Sequence, residues 1–137
     1  MAVPTANTKQ RFEMEYSINA SPKLLFPYIS SASGLSQWFC EDVRLDPDHR
    51  FNMVWDKQNH YAEVSAQRPG RSIRYVFLGE QKQQLDDANF LDFTLDSSRI
   101  TDEVFLRVTD YSDFADMQEQ QELWESLVGR LREQVGG

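Results

Sequence analysis

Few side chains in this sequence are of the kinds that make or break bonds, and their spacing limits what they can do. The one cysteine, Cys40, follows Trp38-Phe39 and would need an adjacent base to act as a nucleophile. Without one in view, it reads as a structural thiol. The two histidines, His49 and His60, form no pair at helical spacing, and one cysteine allows neither an intramolecular disulfide nor a multi-cysteine zinc site. Asp46, Asp48 and His49 cluster in a segment that reads as a solvated acidic turn. Asp86-Asp87, Asp92 and Asp96 are the carboxylates nearest to a general acid and base pair, but they fall in a loop or on outward-facing strand positions, where solvated charge is the better reading. Arg74 and Arg107 lie opposite the apolar rows and either form cross-strand ion pairs or reach into a cavity, the surface pairing being the better reading. No Gly-x-Gly-x-x-Gly, P-loop or Gly-x-Ser-x-Gly is present. The chain is therefore expected to have no catalytic or metal-binding residue and no cofactor.

The aromatic residues are the stronger lead. Trp38, Phe51, Trp55, Tyr75, Phe77, Phe93 and Trp124, with Leu127, all fall at positions expected to face one enclosed side, as does Phe39. Small residues, Ala62 and Ala66, alternate with them. Such a lining either packs solid or leaves a void for an apolar ligand, and both outcomes use the same residues. In the second case these eight positions would contact the ligand, and the Tyr75 hydroxyl would orient it.

The bulk properties set the bounds. The chain has 137 residues, 40% of them hydrophobic and 26% charged, which is the composition of one globular domain. The net charge is −8, and it is uneven: residues 71–137 carry seven bases and fourteen acids, a net −7. Acidic surfaces repel phosphate, so nucleic acid and anionic membranes are disfavoured as partners. Neither an apolar secretion signal nor a membrane-spanning run is visible, and the expected address is the cytoplasm.

The elements that must position these residues follow from periodicity. Residues 1–10 read as a flexible polar leader and 11–135 as a single domain. Phe12, Met14, Tyr16 and Ile18 alternate, as in a half-buried strand. Ser21-Pro22 opens a helix, which Pro27 should shorten, kink or end. A second short helix is expected to carry Leu35, Trp38 and Phe39. Strands then fall near 42–46, 50–56, 59–68 and 71–78, separated by turn signals such as Arg68-Pro69-Gly70. After a polar loop over 79–89, Leu91, Phe93 and Leu95 alternate in one strand and Val104, Leu106 and Val108 in the next. A helix over about 114–135 places Met117, Trp124, Leu127, Val128, Leu131 and Val135 in one stripe. The fold class is α+β: a curved antiparallel sheet whose apolar face can be covered only by the long last helix, the helix-grip arrangement.

Ser21-Pro22-Lys23-Leu24-Leu25-Phe26 and Ser33-Gly34-Leu35-Ser36-Gln37-Trp38-Phe39, followed by Phe51-Asn52-Met53-Val54-Trp55-Asp56 and by Val108-Thr109-Asp110-Tyr111 with Leu123-Trp124, resemble START-like (SRPBCC superfamily) domains of the Aha1-like type. The chain is most similar to small uncharacterised bacterial START-like proteins. Pro27 departs from the uninterrupted first helix of that group, and Lys57 stands where a glycine usually follows Trp-Asp. The resemblance implies a cavity between sheet and long helix that holds an apolar small molecule or lipid. It also implies two alternatives: a protein-interaction module, since Aha1-like domains elsewhere assist the chaperone Hsp90, and a cyclase- or hydrolase-type enzyme. The fold does not choose among them.

Overall fold

A computed structural model describes residues 9–136. The elements run β1 (Lys9–Ile18), α1 (Pro22–Ser30), α2 (Ala32–Leu35), β2 (Asp42–Leu45), β3 (Phe51–Trp55), β4 (Gln58–Arg68), β5 (Ser72–Phe77), β6 (Phe90–Ser97), β7 (Val104–Asp113) and α3 (Met117–Val135). The seven strands form one antiparallel sheet in the order β1-β7-β6-β5-β4-β3-β2. Every connection within β2 to β7 is a hairpin; the one crossover is from β1 to β2, and α1 and α2 make it. The concave face of the sheet and α3 enclose the core, as expected for a helix-grip fold.

The expected leader falls, for residues 1–8, outside the described residues. Lys9 and Gln10, assigned to that leader, are instead strand, paired with Asp113 and Ser112. Two helix expectations also need correction. The last helix begins at Met117, not 114, because Asp116 takes the N-cap and its carboxylate accepts the Gln118 N–H at 2.9 Å. Met117 is consequently in the first, solvent-facing turn and is 44% exposed, while Trp124, Leu127, Val128 and Leu131 form the buried stripe. Gly136 ends the helix at φ 77°, in the left-handed region that glycine enters without strain. The second correction concerns α2, which stops at Leu35. Trp38 and Phe39 follow it in a tight turn, held by Phe39 N–H to Leu35 C=O at 2.8 Å.

Ser21 caps α1 by accepting the Leu24 N–H. Pro27 does not end this helix, which continues to Ser30. The Ser30 and Ser31 hydroxyls donate to the Phe26 and Pro27 carbonyls at 2.7 Å each, occupying acceptors near the helix end. Two further bonds tie the crossover to the sheet side of the core. Trp38 Nε1 donates to Tyr28 C=O at 2.9 Å, and the Tyr75 hydroxyl, on β5, donates to Ile29 C=O at 2.6 Å. Tyr75 is fully buried. Tyr75→Phe should therefore cost about 1–3 kcal/mol by leaving the Ile29 carbonyl without a partner, measured as a shift in the urea midpoint at unchanged slope.

The β3–β4 hairpin turns on Asp56 and Lys57, with φ of 53° and 59°. Both central residues are left-handed, which is the type I′ geometry whose twist suits a two-residue hairpin. The turn thus keeps the conformation that a glycine would favour and carries Lys57 in it at a steric cost. Lys57→Gly should raise stability by a few tenths of a kcal/mol, roughly the αL relief less the entropy that glycine loses on folding, read as a higher melting temperature.

Ala66 is the other correction. The β4–β5 register shifts between Val64 and Ala66, so that Val64 pairs with Tyr75 but Ala66 pairs with Arg74. Ser65 is the extra residue of a β-bulge, and the strand's alternation reverses there. Ala66 lies on the outer face and is exposed, so it does not line the interior.

Candidate functional site

One end of the space between sheet and α3 is left open as a cleft of about 780 Å³. Its rim is formed by the β3–β4 hairpin, the β5–β6 loop, the end of β7 and the first half of α3. Phe39, Trp55, Phe77, Leu91, Trp124 and Leu127 supply apolar wall. The rings pack against one another: Phe39 is stacked on Trp124 with centroids 5.7 Å apart, and Trp55 meets Phe77 edge-on at 5.8 Å.

The eight residues expected to contact a ligand separate into two groups. Trp55, Phe77, Trp124 and Leu127 line this cleft. Trp38, Tyr75 and Phe93 lie behind it in packed core, at 1%, 0% and 0% exposure. Phe51 packs edge-on against Tyr75 and borders a separate depression of about 490 Å³ near the β2–β3 turn. The interior is thus a filled core over most of its extent and a cleft at one end. The Tyr75 hydroxyl is committed to Ile29, and burial raises its pKa above the ordinary phenol value, so it is not placed to orient a ligand.

The cleft also contains polar groups that the aromatic pattern did not reveal. Asp110 sits on the concave face of β7, level with Leu91 on β6 and Phe12 on β1. Its Oδ2 accepts Gln120 Nε2–H at 2.5 Å and Trp124 Nε1–H at 2.9 Å, and its Oδ1 accepts the Ser112 hydroxyl at 2.8 Å. The second group is His60, whose ring lies flat on Trp55 with centroids 3.5 Å apart and planes 7° from parallel. Its Nδ1 is 3.1 Å from Met53 C=O. A carbonyl only accepts, so Nδ1 carries a hydrogen and donates it. Among the described residues no hydrogen bond joins Asp110 to His60. Both were open to inspection by parity: Asp110 extends the Val104, Leu106, Val108 row, and His60 precedes Ala62 and Val64 on theirs.

The remaining candidates make contacts within the fold. The Cys40 sulfhydryl donates to Asp42 C=O at 3.4 Å, and burial pushes its pKa up to about 11, so the thiol stays protonated at neutral pH. Asp92 pairs with Arg74 at 3.0 Å, and Asp96 with Arg107 at 3.2 Å, the expected cross-strand ion pairs. Asp46 organises its turn: the backbone N–H groups of Arg50 and Asp48 donate to it, and Lys82 reaches it at 3.3 Å. The Arg50 N–H bond is the main reason its carboxyl lies below the usual range. Among the described residues no group of three or more His, Cys, Asp or Glu side chains is placed to hold a metal.

A family model described as a START-like superfamily domain matches residues 6–137. The chain belongs to the START-like superfamily. Solved structures share the fold. The Aha1 dimer from Colwellia psychrerythraea superposes with a TM-score of 0.72 at 15% identity, covering 92% of this chain and 96% of that one. The AHSA1 protein from Silicibacter pomeroyi gives 0.61 at 16% identity, over 93% and 98%. BfR322 from Bacteroides fragilis gives 0.59 at 28% identity, over 92% and 90%. No curated protein matches the sequence. No described helix of this START-like domain is long and apolar enough to cross a membrane.

Proposed function

We propose that this protein is a binding module for an apolar small molecule or lipid, held in the cleft between the sheet and α3. The observation that carries this reading is the cleft itself: about 780 Å³, walled by Trp55, Phe77, Leu91, Trp124 and Leu127. START-like folds commonly hold hydrophobic ligands, which supports it. Rigid aromatic walls give contact area at little cost in side-chain entropy. Trp55 and Trp124 are built-in reporters. An environment-sensitive naphthalene dye should bind with a change in tryptophan emission, and Leu127→Trp, which fills the cleft, should weaken it by at least about 10-fold. Native mass spectrometry of protein purified from its own host should show a bound apolar mass. Protein that carries no such mass, and dye affinity unmoved by Leu127→Trp, would sink the reading.

A second reading, docking to a protein partner, rests on α3. Glu119, Glu122, Glu125 and Glu133 are exposed there beside Met117 and Leu123, which are 44% and 49% exposed. This acidic face with apolar spots suits a basic partner, and such capture should weaken as salt rises. Capture that ignores ionic strength would count against it.

A further inference from the structure

Resting on the cleft as a ligand site, we propose that it selects apolar molecules that carry a protonated amine. The decisive feature is Asp110, a carboxylate planted on the apolar face of the sheet. Its three donors, Gln120, Trp124 and Ser112, are all neutral. Among the described residues no lysine, arginine or histidine forms an ion pair with it. The donors orient the carboxylate without cancelling its charge. They occupy three of its four acceptor positions, two on Oδ2 and one on Oδ1. The remaining Oδ1 lone pair is the acceptor left for a ligand.

The surrounding groups have the same sense. Asp56, Glu80 and Asp113 also border the cleft, against Lys9 as the base. The Lys9 ammonium is held by the Asp87 backbone carbonyl and lies 4.0 Å from the Asp87 carboxylate. Low-dielectric walls focus the field of such a cleft, so a cationic head is drawn in and a carboxylate head is repelled. An ammonium on Asp110 forms a charge-assisted bond, stronger than that of a neutral hydroxyl.

Three ligands with one tail separate the possibilities: decylamine, decanol and decanoate, titrated below micelle formation and followed by tryptophan emission and native mass spectrometry. Decylamine should bind about 10-fold more tightly than decanol, the ratio that one charge-assisted bond supplies, and decanoate should bind most weakly. Asp110→Asn keeps an oxygen for Trp124 while removing the charge, and it should bring amine and alcohol within about 3-fold of each other. Decanol or decanoate binding as tightly as decylamine overturns the inference, as does an amine preference that survives in folded Asp110→Asn. If that variant does not fold, the wild-type series alone decides. If none of the three binds, the cleft is not a ligand site, and the failure lies with the function proposed above.

Discussion

Trp124→Ala should be among the most destabilising single changes in this protein, at about 3–5 kcal/mol, the usual cost of emptying a buried tryptophan site. Trp124 is 2% exposed and meets three other rings: it is stacked on Phe39 and lies against Phe93 at 6.0 Å and Trp38 at 6.5 Å. It is also the point where α3 meets β7, through Nε1–H to Asp110. Alanine removes the packing and one donor from a carboxylate on the apolar face. Trp124→Phe separates the two effects. It keeps most of the ring contact and loses the bond, and should cost about 1–3 kcal/mol, the penalty for a polar group left short of a partner. Urea unfolding followed by far-ultraviolet circular dichroism measures both. Equal losses for Ala and Phe would mean that the hydrogen bond, and not the ring cluster, anchors the helix.

The same substitution at two glycines should act with opposite signs. A Cβ on Gly34 would sit 2.1 Å from Pro27 O and 2.6 Å from Tyr28 Cα, both backbone atoms of α1. No rotamer relieves such a clash, so α2 must move away from α1, which strains the bond from the Trp38 indole, just after α2, to Tyr28 C=O in α1. Gly34→Ala should lose about 1–3 kcal/mol or more, as overpacking does. Gly129, in α3, has nothing within 4 Å of the same imagined atom. There alanine only improves helix propensity, and Gly129→Ala should gain up to about 1 kcal/mol. Thermal melts of the pair decide the matter. A neutral Gly34→Ala would show that the α1–α2 contact is loose.

The architecture was legible because alternation survives wherever a strand has one wet face. Phe12 to Ile18, Leu91 to Leu95 and Val104 to Val108 each identified a strand and its inward side. What escaped had no period to betray it. Trp38 and Phe39 lie in a turn, where neighbours can diverge: Trp38 goes into the core and Phe39 to the cleft wall. The depth of Tyr75 depends on Ile29, forty-six residues away, and no local pattern encodes that contact. Asp110 was missed for a different reason. It shares the parity of the apolar row, but a carboxylate there is expected to be solvated, and only the meeting of β7 with Gln120 and Trp124 makes its position tolerable. The cleft is legible only once its walls are assembled.

The bulge in β4 bears on how chain length can change here. Ser65 is supernumerary: Val64 is opposite Tyr75 and Ala66 opposite Arg74, neighbours on β5. Deleting Ser65 would leave every other pairing in the sheet as it is, whereas a deletion elsewhere in β4 would shift the strand by one and turn its inner residues outward. A version of this domain one residue shorter at that point is therefore compatible with the same core, but its sheet would curl less and its grip on the last helix would be flatter. The site is where related chains can differ by a single residue in the middle of a strand rather than in a loop.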